Sequence, residues 1–166
     1  MSNAGKEFEQ DLKASVPEGV YFLRLTDSAI GFNVSASTQR FAPKSPYDCI
    51  LYKNPIMYAL ELKSTISTSL SFKGKTPMIK EHQLKKLREA ASKGVKAGFM
   101  INFRKSGNTY YLPIQAFDEI TQYGMIDKSS INELDIVRSG KAISIPSRLK
   151  KVRSFYDLSA LFKSTI

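Results

Sequence analysis

The sequence is poor in the residues that make covalent or metal cross-links. It has one cysteine, one histidine and no tryptophan in 166 residues. A single cysteine, Cys49, excludes an internal disulfide and fits a reducing compartment. With one histidine beside it, the chain lacks the ligands for a structural zinc site. No run of about 18 apolar residues occurs, so no membrane span is expected. No signal-peptide pattern is read at the start either. The expected location is therefore the cytoplasm, in association with the nucleoid. Acids are scarce as well: 15 Asp and Glu stand against 25 Lys and Arg, a formal net charge of +10. That excess favours a polyanionic partner, either nucleic acid or an anionic membrane surface. Solubility alone is the plainer account of the same charge.

What is present suffices for one domain. The length suggests a single unit, and 42% hydrophobic residues supply its core. Residues 1–4 read as an expression remnant, leaving residues 5–166 as the domain. The chain is organised around residues 45–63, which read as strand, turn and strand. Side chains alternate along a strand. Ala59, Glu61 and Lys63 therefore share one face, while Tyr58, Leu60 and Leu62 form an apolar face. Asp48 opens the first strand, so hairpin pairing brings a second carboxylate beside Glu61. Two carboxylates and a lysine suit metal-assisted phosphodiester hydrolysis. Mg²⁺ takes oxygen ligands, commonly one or two carboxylates with water and phosphate. It stabilises phosphate charge and helps make hydroxide. A lysine can orient the water or neutralise the developing anion. A surface ion pair on a two-stranded ribbon is the plain alternative.

Along the chain, residues 5–15 read as a helix with Phe8 and Leu12 on one stripe. Glu9 is either a solvated acid of its first turn or a third carboxylate facing the site. Residues 20–25 read as a strand with Arg24 on its polar side. Residues 26–43 have no strong period and read as a long loop or lid. Within and after it, Arg40 and Lys44 are placed to reach phosphate, while Phe32 and Phe41 read as anchors or core. A second basic loop carries Lys73, Gly74 and Lys75. Residues 80–93 read as a helix with a basic outer face that includes Lys80. That face is either solvated or a wall for DNA. Gln83 falls on its apolar stripe, as a satisfied amide or a group aimed into the site. His82 reads as a surface residue outside the core mechanism. Residues 98–103 form a continuous apolar run, as in a strand buried on both faces. A turn, a partner strand and a helix from Pro113 follow. Residues 131–136 read as helix or strand, and residues 142–145 as a short strand. The basic residues Arg138, Lys141, Arg148, Lys150, Lys151 and Arg153 precede a terminal helix over 157–163, with Ser154 as its N-cap. The order implies an α/β fold, a mixed central sheet flanked by helices.

Asp48 followed by Glu61-Leu-Lys63 resembles the core of the PD-(D/E)xK nucleases. Within that superfamily the chain is similar to the RecU-type Holliday junction resolvases, the penicillin-binding-protein-related factor A group. The shared stretches are Gly5-Lys-Glu-Phe-Glu9, Ser45-Pro-Tyr-Asp48, Leu60-Glu-Leu-Lys-Ser64, Leu70-Ser-Phe72, His82-Gln83, Gly98-Phe-Met-Ile-Asn-Phe103 and Tyr110-Tyr-Leu-Pro113. The resemblance implies a restriction-endonuclease-like core and a Mg²⁺- or Mn²⁺-dependent homodimer that nicks four-way DNA junctions. In that reading Asp48, Glu61 and the Leu62 carbonyl hold metal, and Lys63 assists the water. Glu9 and Gln83 complete the site, while Arg40, Lys44, Lys73, Lys75 and Lys80 are the DNA contacts. It departs from that family in having only residues 26–43 where a longer stalk stands, and Tyr47 where Thr often precedes the Asp. The other readings are a non-catalytic junction-binding module and a restriction- or repair-type nuclease.

Overall fold

A computed structural model describes residues 3–27, 44–122 and 128–163. Its centre is a six-stranded sheet in the order β1-β2-β3-β5-β6-β8. These strands are β1 (Tyr21–Arg24), β2 (Cys49–Lys53), β3 (Ile56–Thr65), β5 (Lys96–Phe103), β6 (Asn108–Pro113) and β8 (Ile143–Ser144). Only β3 and β5 pair in parallel; the other neighbours are antiparallel. The mixed α/β architecture implied by the element order is the one observed.

Helices cover both faces. On one lie α1 (Asn3–Ala14) and α5 (Ser159–Lys163), packed through Phe8, Leu12 and Leu161 on Tyr58, Leu60 and Met100. On the other lie α2 (Glu81–Ser92) and α3 (Ile114–Gln122), packed through Leu84, Leu87 and Phe117 on Ala59, Phe99 and Ile101. Alternation along β3 and β5 therefore feeds two cores. The polar side of β3 expected from the sequence is in fact roofed by α2, and Glu61 is only 3% exposed. Gly98 is where β5 and β6 come closest. A Cβ there would stand 2.3 Å from the Leu112 carbonyl oxygen, inside van der Waals contact with backbone that cannot move aside.

Two small ribbons complete the described residues. The Ser/Thr-rich stretch after β3 contains β4 (Ser69–Ser71), which pairs with β7 (Ser130–Asn132). The first of these was not legible as a strand, because three residues give no period. The second leads straight into α4 (Glu133–Arg138), so the segment is both strand and helix. Asn132 caps α4, its side chain accepting from the Asp135 N–H at 2.8 Å. The basic run near the end of the chain is a hairpin of β9 (Ser147–Lys150) and β10 (Arg153–Tyr156). Ser154 lies within β10 and is not the cap of α5. Just ahead of α5 the Asp157 side chain accepts from the Ser159 N–H at 3.1 Å. The helix expected to open on residue 5 opens on Asn3, whose amide donates to Glu7 at 3.0 Å. No helix among the described residues is long and apolar enough to cross a membrane.

Candidate active site

Asp48 is fixed at three points just before β2. Its N–H donates to the Leu60 carbonyl at 3.1 Å, and its carbonyl accepts from the Leu25 N–H at 2.8 Å. Its Oδ2 accepts from the Leu62 N–H at 2.7 Å. The β2–β3 register sets Cys49 opposite Leu60, so Asp48 falls beside Glu61. The hairpin thus brings the two carboxylates together, as the spacing suggested.

Glu61 and Lys63 project from the same face of β3 under the first turn of α2. Lys63 Nζ donates to Glu61 Oε1 at 2.9 Å and to Gln83 Oε1 at 3.3 Å. Gln83 Nε2 donates to the same Glu61 oxygen. Gln83 Oε1 also accepts from the Lys80 N–H at 2.9 Å, which satisfies a free donor at the start of α2. One amide therefore joins the helix start, the ammonium and the carboxylate. Both sequence readings of Gln83 hold together: it is satisfied, and it is aimed into the site.

The electrostatics follow from this crowding. Burial pushes Glu61 up to about 7 from 4.5, Lys63 pulls it down, and the Asp48 carboxylate raises it further. Two carboxyls this close need a proton or a cation between them. Their oxygens are hard donors of the kind Mg²⁺ and Mn²⁺ take. The donor chemistry of Asp48 and Glu61 is therefore of a kind that could hold such an ion. Among the described residues no group of three or more His, Cys, Asp and Glu side chains is placed to hold a metal. Cys49, next to Asp48, is buried, and burial pushes its thiol up to about 12.

These groups open into a cleft of about 710 Å³, whose walls include Glu9, Arg24, Lys44, Asp48, Glu61, Lys63, Lys80 and Gln83. Glu9 is on the wall but is held by Arg24, whose Nη2 donates to Glu9 Oε2 at 3.1 Å. It faces the cleft without joining the Asp48–Glu61 contact. Arg24 and Asp27 were missed as site residues. Asp27 lines the cleft and accepts from the Ser45 N–H at 2.7 Å. Only the β1–β2 register, with Arg24 opposite Cys49, would have revealed the first. Exposed His82 lines the cleft mouth; partial burial, then Lys44, Lys80 and Lys63, lower its pKa. Of the expected phosphate contacts, Lys44 and Lys80 are cleft residues. Lys73 and Lys75 are exposed on the loop before α2 and are not part of its wall. Arg40, Phe32 and Phe41, with all but the first two residues of the expected lid, lie outside the described residues.

No protein-family model matches the chain. In outline it is similar to the solved structure of Archaeoglobus fulgidus Hjc, a Holliday junction resolvase from an archaeal hyperthermophile. The TM-score is 0.49 at 13% sequence identity, covering 83% of this chain and 93% of that one. In sequence it is similar to the SPbeta prophage-derived uncharacterized protein YotM of Bacillus subtilis (strain 168). The two are 33% identical over 172 residues, which cover 96% of this chain and 85% of the relative. At that identity and over that span, the chain belongs to the family of the SPbeta prophage protein YotM.

Proposed function

We propose that this protein is a Mg²⁺- or Mn²⁺-dependent DNA endonuclease that nicks four-way junctions by phosphodiester hydrolysis, acting as a homodimer. The observation that carries the reading is the convergence of Asp48, Glu61, Lys63 and Gln83 in one cleft walled by Lys44 and Lys80. Asp48, Glu61 and the Leu62 carbonyl would hold the ion. When bound, it supplies charge to offset the phosphate and acidifies a water. The protein's own groups do the rest. Lys63 keeps an ammonium against the Glu61 carboxylate, where it can orient the attacking water and donate to the developing oxyanion. Gln83 fixes both partners, so neither must reorganise as charge builds. Lys44 and Lys80 on the cleft wall neutralise phosphates of the bound strand. The net reaction adds water at phosphorus and breaks one P–O ester bond. Junction selectivity and the dimer come from the resemblance to the RecU-type resolvases. Two symmetric nicks suit a two-fold assembly.

The test is a cleavage assay on a labelled synthetic four-way junction beside a linear duplex of the same sequences, with Mg²⁺, with Mn²⁺ and with EDTA. Metal-dependent paired nicks on the junction alone are expected. Cutting of both substrates would keep the nuclease and remove junction selectivity. A retarded junction band with no cutting under either metal would make the protein a binding module.

A further inference from the structure

We infer that the β9–β10 hairpin is a second DNA-contact element, which grips the backbone of the duplex flanking the cleft. The inference extends the nuclease reading and rests on it for the position of that duplex. Residues 147–156 carry Arg148, Lys150, Lys151 and Arg153 and no acid. All of β9 is exposed. Leu149 at 74% and Val152 at 87% are the most exposed large apolar side chains among the described residues. A hairpin that served only to solubilise the protein would not hold Leu and Val out at its tip.

The hairpin is also held rigidly, and in a telling direction. Its β10 edge is sealed by α1. The Ser154 N–H donates to Asp11 Oδ2 at 3.1 Å and the Tyr156 N–H to Ser15 Oγ at 2.9 Å. Arg153 adds an ion pair to Asp11 at 2.6 Å and a hydrogen bond to Gln10 at 2.8 Å. Two strand residues rise about 6.6 Å and four helix residues about 6 Å. Helix and strand therefore run level and in the same direction. Continued to Val152, the ladder reaches the first turns of α1. That end of α1 contributes Gly5, Phe8 and Glu9 to the cleft wall.

Helical geometry of about 3.6 residues per turn sets Asp11 roughly opposite Glu9 around the axis. Cleft and hairpin therefore flank the same end of one helix. A helix is about 10–12 Å across, close to the about 12 Å width of the major groove. A strand lying in the cleft thus places the next phosphate ridge of its duplex at the hairpin tip. There Lys150 and Lys151 meet phosphates, and Leu149 and Val152 meet sugar and groove edges. An anionic membrane would also attract a basic apolar tip. Only the DNA reading uses the alignment of that tip with the cleft.

The test is fluorescence anisotropy of the full chain with labelled duplex and four-way junction, in EDTA, over a range of NaCl. Two variants are compared, Lys150→Ala/Lys151→Ala and Leu149→Ser/Val152→Ser, each checked by its circular-dichroism melt. The lysine pair should weaken binding about tenfold and lower the slope of log affinity against log salt by about two. The apolar pair should weaken it severalfold with no change of slope. Unchanged affinity and slope in both variants would overturn the hairpin while leaving any cleavage intact. Loss of binding to phosphatidylglycerol vesicles alone, with DNA affinity unmoved, would overturn it in favour of a membrane contact. Variants that lose DNA binding beside a wild type that cuts nothing would keep the hairpin and remove the nuclease.

Discussion

At the cleft, Glu61 is 3% exposed and its carboxylate is gripped by Lys63 and Gln83 beside Asp48. At the β9–β10 hairpin every residue of β9 is exposed, and the ribbon is tied to the protein mainly through α1. Both regions carry charge, yet they hold it differently. The cleft keeps opposite charges in a low-dielectric pocket, where each fixes the others and unpaired members are costly. The hairpin displays one sign of charge to water, where salt screens it. The difference teaches where chemistry and where affinity should reside. A buried network that cannot reorganise suits a reaction. A solvated row of cations suits a phosphate backbone.

The sharpest way to break this contrast is to remove the buried acid. Glu61→Gln keeps the shape of the side chain and should lower cleavage by about 10³-fold or more. Its circular-dichroism spectrum should remain that of the wild type. Retained activity in a clean preparation would sink the assignment of Glu61. Lys63→Met keeps the stem and deletes the ammonium. It should cost about 10²-fold in single-turnover rate on a junction, with the binding affinity in EDTA nearly unchanged. A matching loss of affinity would move Lys63 from the chemistry to simple phosphate binding.

The hairpin's anchor offers the next comparison. Asp11 is 8% exposed and accepts from both Arg153 and the Ser154 N–H. Asp11→Ala leaves those donors without their acceptor and should destabilise the protein by about 1–3 kcal/mol in urea unfolding. No loss of stability would mean that α1 does not hold the ribbon.

A smaller effect appears in the pH dependence of the metal-free protein. Glu61 sits at about 7 when folded and at an ordinary 4.5 when unfolded. Between those values the folded state binds more protons than the unfolded chain, so stability falls as pH rises through the window. The melting temperature of wild type relative to Glu61→Gln should therefore decline from pH 5 to pH 7.5. Added Mg²⁺ should recover it at the upper end. A flat difference would mean that burial, with Asp48 beside it, does not raise the Glu61 carboxyl. Smallest of all, Cys49, buried and pushed up to about 12, should resist iodoacetamide in the native state and react on unfolding. Rapid labelling of the native protein would show that the start of β2 opens.

The central hairpin of residues 45–63, the apolar β5 and the helices α1 and α2 were legible because each is a local pattern. Apolar residues recur at helical spacing from Phe8 to Leu12, Asn54-Pro55 supplies turn chemistry, and residues 98–103 are uninterruptedly apolar. From those patterns Asp48, Glu61 and Lys63 could be named as one group, while Gln83 joined them only through the resemblance to the PD-(D/E)xK nucleases. β4 and the β9–β10 hairpin were not legible. They are three- and four-residue strands; β4 pairs with β7 about sixty residues on, and the local β9–β10 hairpin is held by α1 near the start of the chain. The tie between Arg24 and Glu9 was equally hidden, since it depends on how β1 packs beside α1.

The sequence by itself determined which polar residues meet on β3 and before β2. Side-chain alternation in β3 and the length of its turn leave Asp48 and Glu61 little choice but to meet. Tertiary structure alone decided what surrounds them. The roof of α2 buries Glu61 and makes its proton negotiable near neutrality. The edge of β10, sealed by Asp11 and Ser15, sets a basic hairpin alongside α1, whose first turns also line the cleft. Burial and long-range register are properties of the packed chain, and no local period of residues encodes them.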